Sequence, residues 1–172
     1  MKPRIIALTG YMGAGKTTAC NWLVRQHNYE RVRFAGPLKS MLRALGCSEA
    51  EVDGDLKEQP SELLCGKTPR EAMQTLGTEW GRDKISPYIW VSAWRAAVQS
   101  KPFVVVDDMR FPNEAVAVRS LGGKIWRVDR PGLVMGAHAS ETQALPYDAT
   151  LYNDRDLLHL TLGVDALVEV FS

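Results

Sequence analysis

Cysteine and histidine are scarce in this chain, which has three of each among its 172 residues. Cys20, Cys47 and Cys65 lie far apart and form no Cys-x-x-Cys pair. The chain therefore lacks the spacing of a disulfide framework and the Cys/His spacing of a zinc site. Scattered, reduced thiols are typical of cytoplasmic proteins, so we expect a cytoplasmic location.

Long apolar runs and an excess of one charge are missing as well. The stretch "MKPRIIALTG" has an apolar run shorter than a signal peptide needs, and nothing approaches the roughly 20 apolar residues of a membrane span. The formal net charge is +1, whereas nucleic-acid-binding domains usually carry a clear basic excess. We therefore expect no membrane association and no direct nucleic-acid partner.

Segments with strand and helix patterns alternate along the chain. Strands are predicted at 4–10, 31–34, 101–108, 124–129 and 149–154, and helices at 16–27, 37–46, 68–84, 86–100, 112–123 and 155–171. This alternation predicts a single α/β domain with a central, mostly parallel sheet flanked by helices. Ligands of such sheets bind at the carboxyl ends of the strands.

Two segments lack a regular pattern. Residues 47–67 are predicted to form a loop with short helical pieces, and residues 130–146 to form a long loop rich in glycine and small residues. Between them, Thr68, Pro69 and Glu71 have the spacing of a capping box at a helix start.

The stretch "GYMGAGKT" has the spacing of a Walker A motif and lies between a predicted strand and a predicted helix, as that motif requires. Backbone N–H groups of the loop and the helix N-terminus would hold phosphate oxygens. Lys16 would reach the β- and γ-phosphates, and the Thr17 hydroxyl would bind Mg²⁺. An incidental glycine-rich turn is the alternative. The predicted ATP-binding residues of this stretch are Gly10, Gly13, Ala14, Gly15, Lys16, Thr17 and Thr18.

The guanine-reading Asn-Lys-x-Asp element of switch GTPases has no good match here. The nearest stretch, "NDRD" at 153–156, lacks the lysine, and "DRPG" at 129–132 lies too close to it for another strand and helix to fit between them. A small kinase would instead need an arginine-rich acceptor pocket and a loop that closes. Arginines that suit such a pocket lie near predicted element ends: Arg70, Arg82, Arg110 and Arg130.

The stretch "VVVDDMRFPNE" places two carboxylates and an arginine at the end of a buried strand. Asp107 or Asp108 would hold magnesium or its waters beside the phosphate loop, and Arg110 would bind an acceptor phosphate through a bidentate contact. The alternative is structural: one acid caps the helix that begins at Pro112, and Arg110 pairs with it.

Six stretches together carry a family resemblance: "GYMGAGKTT", "FAGPLK", "TPREAMQTLGTEWGRD", "DDMRFPNEA", "GGKIWRVDRP" and "HASE". With them the chain resembles the deoxynucleoside monophosphate kinases of tailed bacteriophages, a P-loop family. The resemblance extends from Gly10 to Asn153, and "LGTEWGR" followed by "RFPNEA" is its most specific part. Gly36 departs from it, because an aspartate is frequent at that place in the "FAxPLK" phrase.

The resemblance implies transfer of the γ-phosphate of ATP to a deoxynucleoside monophosphate, with Mg²⁺ as cofactor. It also implies a P-loop NTPase fold with a helical acceptor-binding insert at about 37–100 and a lid at about 130–147. The location would be the host cytoplasm if the gene is carried by a phage. A homodimer is compatible with the resemblance, although no apolar seam in the sequence favours one.

Further residues are predicted to touch the substrates, each with a simpler alternative. Lys39 and Arg70 would bind the acceptor phosphate, Arg82 would assist, and Gln74 would bond the base edge; the alternatives are solvated or helix-end side chains. Trp80 would stack on the base or sugar, although aromatic residues at helical spacing are more often core. Arg130 would act from the lid on the ATP phosphates. Asn153 would line the adenine pocket unless it only forms a turn.

Two other functions fit the same motifs. A P-loop kinase for another small acceptor, such as a sugar acid or dephospho-coenzyme A, would need a base for its hydroxyl, and Asp107 or Asp108 would serve. A regulatory module would bind ATP without transferring phosphate. The preferred base and the discrimination against ribonucleotides are not readable from the sequence.

Overall fold

The computed structural model describes residues 4–133 and 145–171. Its contacts group the chain into two compact units, residues 1–33 with 95–172 and Phe34–Trp94, which we call the sheet unit and the helical unit. The "HASE" stretch at 138–141 and much of the predicted lid lie outside the described residues. No helix within the described ranges is long and apolar enough to cross a membrane.

The sheet unit is built on five parallel strands, in the order β2-β3-β1-β4-β5. The strands are β1 (Arg4–Thr9), β2 (Glu30–Arg31), β3 (Phe103–Val106), β4 (Lys124–Asp129) and β5 (Ala149–Tyr152). Helices α1 (Lys16–Gln26), α6 (Pro112–Ser120) and α7 (Leu157–Val170) belong to the same unit. The α/β fold with a central parallel sheet flanked by helices is therefore confirmed.

The register of the sheet determines where polar side chains emerge. Ala7 of β1 is opposite Val106 of β3, and Thr9 is opposite Arg127 of β4. The loop after β1 and Asp107 after β3 therefore lie at the same carboxyl edge. The strand order changes direction at β1, which is the place where open α/β sheets bind ligands.

The core explains why the central strands are so apolar. β1 and β3 have neighbours on both sides, and their residues Ile5–Leu8 and Val104–Val106 are at most 3% exposed. Leu23 of α1 and Leu160 of α7 pack in the same cluster as Leu8 and Trp126. Burial on both faces favours near-continuous apolar runs over alternating ones.

The helical unit contains α2 (Gly36–Ala44), α3 (Glu49–Val52), a 3₁₀ turn (Asp55–Glu58), α4 (Pro69–Gln74), a π-helix (Thr75–Ile85) and α5 (Ile89–Val98), which ends in the sheet unit. The predicted capping box is present: the Thr68 hydroxyl accepts from the Glu71 N–H at 3.1 Å, and the Glu71 carboxylate accepts from the Thr68 N–H at 2.8 Å. A small core of Leu42, Cys47 and Val52 holds the unit together.

Three predicted elements differ from the structure. The strand at 31–34 is β2 at Glu30–Arg31, because the chain already turns toward α2 at Ala35. The helix predicted from residue 86 begins at Ile89, because the Ser86 hydroxyl and carbonyl hold a turn by accepting from the N–H groups of Tyr88 and Ile89. The helix at 68–84 continues as a π-helix after Gln74.

Candidate active site

The Walker A stretch forms a tight loop between β1 and α1. Gly10, Gly13 and Gly15 have φ angles of 132°, 80° and 108°, which side-chain-bearing residues rarely adopt. A Cβ on Gly10 would lie 2.3 Å from the Val128 carbonyl oxygen. The loop needs glycine for both conformation and space, which supports a phosphate cradle over an incidental turn.

Lys16 spans this loop. Its Nζ donates to the carbonyl oxygens of Gly10 at 2.6 Å and of Tyr11 at 2.8 Å. Thr17 and Thr18 are exposed in the first turn of α1, which contains no acidic residue. The helix N-terminus therefore keeps its full partial positive charge for an anion.

Asn153, which follows β5, contacts the phosphate loop. Its side-chain amide donates to the Ala14 carbonyl oxygen at 2.9 Å, and its backbone N–H donates to the Asp129 carbonyl oxygen at 2.7 Å. A Cβ on Gly15 would lie 2.6 Å from the Asn153 amide nitrogen. Asn153 is thus more than a turn residue, because it fixes one wall of the cradle. Its contact with adenine stays a prediction.

Both described ends of the predicted lid lie beside the loop. Arg130 is exposed, and its Nη1 donates to the Gly13 carbonyl oxygen at 3.4 Å. The guanidinium of Arg127 lies 5.9 Å from the centre of the Tyr11 ring and 5.7 Å from that of Tyr147. These cation–π distances connect the phosphate loop to the strand β4 and to the segment before β5.

Asp107 is buried and held by two arginines that sequence reasoning missed. Its side chain is 4% exposed. Arg33 donates from Nε to Oδ1 at 3.0 Å and from Nη2 to Oδ2 at 3.4 Å, and Nη2 of Arg31 lies 3.6 Å from Oδ2. The available signal was the "RVRF" stretch, where two cations alternate toward the carboxyl end of a strand next to β3.

The same cluster contains a buried thiol. The Cys20 Sγ accepts from Nε of Arg31 at 2.8 Å. Burial, with the negative charge of Asp107 adding to it, raises the pKa of Cys20 to about 11. Because the thiolate is the reactive form, this raised pKa lowers the reactivity of Cys20 near neutral pH.

A buried glutamate shapes the start of α6. Glu114 is 2% exposed, and its Oε2 accepts from the backbone N–H groups of Arg110 at 2.7 Å and Phe111 at 3.1 Å. This contact fixes the backbone that carries the Arg110 guanidinium, and Arg110 itself is exposed. Glu114 was not among the acids expected to cap this helix. Asp108 is partly exposed, and the choice between a ligand-binding and a capping role for the aspartates stays a prediction.

The predicted acceptor residues of the helical unit have intramolecular partners. Lys39 pairs with Asp53 and is 14% exposed, so it is not a freely solvated lysine. Nε of Arg70 lies 2.6 Å from a Glu58 carboxylate oxygen. An acceptor phosphate would have to compete with Asp53 and Glu58 for these cations.

The "LGTEWGR" stretch lies within the π-helix, and one of its carbonyl groups accepts two side-chain hydrogen bonds. The Gly77 carbonyl oxygen accepts from Nη1 of Arg82 and from Nε1 of Trp90, each at 2.8 Å. Trp80 is 40% exposed and its ring centre lies 6.3 Å from that of Trp90. Gln74 is exposed just before this segment. Trp80 and Gln74 thus have surface available to a ligand.

The residues present fit a nucleotide with Mg²⁺. The glycine loop leads into the N-terminus of α1, and Thr17 is an exposed hydroxyl in the first turn of that helix. Within residues 4–133 and 145–171, no three His, Cys, Asp or Glu side chains form a metal cluster. Mg²⁺ in phosphoryl-transfer sites is held by one or two protein groups together with phosphate oxygens, so Thr17 and one carboxylate suffice.

Comparisons with solved structures agree with the fold. The chain matches the TT1252 protein of Thermus thermophilus with a TM-score of 0.54 and 17% identity, each chain being covered completely. It matches an APS kinase of Mycobacterium tuberculosis with a TM-score of 0.50 and 14% identity over 98% of both chains. At these identities the likeness supports the α/β fold and nothing finer. No family model matches the chain.

A curated relative indicates the family. A protein of Acanthamoeba polyphaga mimivirus, provisionally named deoxynucleotide monophosphate kinase, is 32% identical over 173 aligned positions, which cover 89% of this chain and 90% of the relative. The relative comes from a mimivirus, so a bacteriophage origin stays a prediction. Since identity at this level extends over most of both proteins, the chain belongs to the deoxynucleotide monophosphate kinase family.

Proposed function

We propose that the protein transfers the γ-phosphate of ATP to deoxynucleoside monophosphates and releases ADP and deoxynucleoside diphosphates. The observation that carries the proposal is the glycine loop with Lys16 across it, at the same sheet edge as Asp108 and Arg110. Membership of the deoxynucleotide monophosphate kinase family supports the choice of acceptor. ATP and deoxynucleotides are cytoplasmic solutes, so the reaction would occur in the cytoplasm, that of the host for a viral gene.

The triphosphate would rest in the loop. Backbone N–H groups of residues 13–18 and the α1 N-terminus would bind the β- and γ-phosphates. The Lys16 Nζ would exchange its bonds to the Gly10 and Tyr11 carbonyls for phosphate oxygens, a short movement for a long side chain. Arg130, already in contact with Gly13, would neutralise charge on the γ-phosphate from the lid side.

A bound Mg²⁺ would supply positive charge against the phosphates during transfer. The Thr17 hydroxyl would contact it, and a carboxylate after β3, Asp107 or Asp108, would hold it or its waters. The acceptor oxygen belongs to a phosphate whose second pKa is about 6, so it is ionised near neutral pH. The protein therefore needs no general base, and its work is positioning and charge neutralisation.

The acceptor phosphate would be bound by Arg110, whose backbone Glu114 fixes. Arg70, Lys39 and Arg82 remain candidates for the same phosphate, and Gln74 and Trp80 for the base. An ion pair such as Arg70–Glu58 would open as the more highly charged phosphate dianion replaces the carboxylate.

The test is a coupled ADP assay with a panel of acceptors at one ATP concentration. We expect Mg²⁺-dependent ADP formation that requires a deoxynucleoside monophosphate and is abolished in Lys16→Ala. Arg119→Gln, at an exposed ion pair with Asp148, is the matched control and should retain wild-type rates. Turnover only with a sugar acid or dephospho-coenzyme A would contradict the proposed acceptor. ATP binding without any acceptor-stimulated ADP release would indicate a regulatory module.

A further inference from the structure

The carboxyl end of β2 carries two arginines that reach across to β3. Arg31 is opposite Val105 in the parallel ladder, and the Val32 N–H donates to the Val105 carbonyl oxygen at 3.0 Å. Arg33 therefore follows at the level of Asp107, which comes directly after β3. Register alone brings these two side chains to the edge where the phosphate loop lies.

Both oxygens of the Asp107 carboxylate are engaged by guanidinium groups. Arg33 uses Nε and Nη2 on Oδ1 and Oδ2, and Arg31 adds Nη2 near Oδ2. Arg31 is itself fixed to α1 through the Asn21 side-chain oxygen at 2.6 Å and the Cys20 sulfur. The cluster thus connects the carboxyl ends of β2 and β3 to the second turn of the helix that follows the phosphate loop.

A carboxylate in this setting is a poor magnesium ligand. Mg²⁺ demands near-octahedral oxygen geometry and usually keeps several of its waters. The Asp107 side chain is 4% exposed, and a dication at its oxygens would lie against two guanidinium cations. Asp108, the next residue, is partly exposed and has no such burial, so it is the better placed carboxylate.

Two guanidinium groups are held at the Asp107 carboxylate, at the carboxyl end of β2. Strand order places β2 two positions from β1, about 10 Å away at the usual strand spacing. An anion bound by Arg33 would therefore lie on the β3 side of the phosphate loop. The segment that carries Arg110 starts on the same side, directly after β3. A guanidinium already held by a carboxylate loses little side-chain freedom when it binds a phosphate.

We propose that Asp107 is a positioning residue that holds Arg33 for the phosphate group of the acceptor, and that it is not a magnesium ligand. This inference rests on the proposed function. Arg33 then joins Arg110 in binding the phosphomonoester, with Arg31 as the anchor of the cluster to α1.

The experiment consists of three calorimetric titrations of the intact protein. They use each deoxynucleoside monophosphate alone, ADP at saturating Mg²⁺, and ADP across a series of Mg²⁺ concentrations. The variants are Asp107→Asn, which keeps the shape of the side chain, and Arg33→Lys, which keeps its charge. Arg119→Gln is the control. Thermal unfolding of each variant shows that it is folded before titration.

We expect both variants to raise the Kd of the monophosphate by about tenfold, the effect of losing one oriented charge-assisted contact. The Kd of ADP and the half-saturating Mg²⁺ concentration should stay within about twofold of wild type, because the ADP site does not include the cluster. Arg33→Lys should also retain part of the wild-type activity. Its KM for the acceptor should rise, whereas its KM for ATP should stay unchanged.

Two results would overturn the inference while leaving the proposed function intact. A large increase in half-saturating Mg²⁺ for Asp107→Asn, with unchanged monophosphate binding, would make Asp107 a metal ligand. Unchanged results in all three titrations for both folded variants would reduce the cluster to a stabilising ion pair. By contrast, wild-type protein that binds ADP and no monophosphate would contradict the proposed function itself, and the inference with it.

Discussion

The side-chain amide of Asn153 donates a hydrogen bond to the Ala14 carbonyl oxygen across 2.9 Å, and so ties the residue after the last strand to the phosphate loop. The two residues are 139 positions apart in the chain. Ala14 is almost completely buried, so its carbonyl has few other ways to be satisfied. The shape of the cradle therefore depends on the folding of the whole sheet unit.

The Asn153 contact predicts an effect on nucleotide affinity. Asn153→Asp would replace the donor with a carboxylate that faces a carbonyl oxygen and the incoming phosphates. We expect the Kd of ADP to increase about tenfold or more, because the new carboxylate would repel the phosphates of ADP. Calorimetric titration with ADP measures it, and Gln99→Glu at an exposed position adds the same charge as a control. Equal affinity in both variants would show that the contact is incidental.

Gly15 should tolerate no side chain. In Gly15→Ala the backbone would keep a φ of 108° and the new Cβ would meet the Asn153 amide at 2.6 Å. We expect loss of ADP binding and a decrease of about 1–3 kcal/mol in the free energy of unfolding. Gly122→Ala is the matched control, because Gly122 has a φ of 83° and open space around it. If both alanines lowered stability equally and left ADP binding intact, the close approach at Gly15 would have no role.

Glu114 should matter to the acceptor and not to ATP. Glu114→Gln keeps the size of the side chain and removes the negative charge that accepts from the N–H groups of Arg110 and Phe111. We expect the acceptor KM to rise and the KM for ATP to stay constant, because only the Arg110 backbone loosens. Adding Arg110→Ala should then change little, since the two residues act as a unit. Fully additive losses in kcat/KM would refute this coupling.

The buried thiol predicts a difference in stability at alkaline pH. The pKa of Cys20 is raised from 9.0 to about 11, so between these values the unfolded chain loses the proton while the folded chain keeps it. The free energy of unfolding should therefore decrease as pH rises through this window, by about 1.4 kcal/mol per pH unit from this group. Urea unfolding of wild type and Cys20→Ala measures it as the difference between the two curves. Parallel curves from pH 8 to 11 would contradict the buried, protonated thiol.

Thiol labelling gives an independent check of the same environment. Cys65 is exposed, whereas Cys20 and Cys47 are buried. A thiol reagent at pH 8 should modify Cys65 quickly and the other two only on unfolding. Rapid labelling of Cys20 in the folded protein would be incompatible with its burial and raised pKa.

Much of the sheet unit could be predicted from the sequence because local signals and burial agree there. The valine run of β3 and the alternating polar and apolar residues of β4 are each typical of a strand. The glycine loop between β1 and α1 is recognisable by the spacing of its glycines and lysine. The capping box at Thr68 was also readable, because both partners lie within four residues.

The contacts that were missed join distant residues. Arg33 and Asp107 are 74 positions apart, and only the register between β2 and β3 brings them together. Glu114 was overlooked because a buried carboxylate that accepts from backbone N–H groups has the same sequence pattern as a solvated helix glutamate. The π-helix depends on Trp90, which donates to the Gly77 carbonyl from outside the segment.

If the protein is a phosphotransferase, ADP forms from ATP only when a second anion accepts the γ-phosphate. The most direct measurement is a coupled assay of ADP release, with Mg²⁺ and ATP fixed, across the four deoxynucleoside monophosphates and their ribose counterparts, with the products separated by ion-exchange chromatography. We expect one deoxynucleoside diphosphate for each ADP released, and no release of ADP in Lys16→Ala. Release of ADP at the same rate with and without a monophosphate, and no diphosphate of the acceptor, would contradict phosphate transfer to the monophosphate.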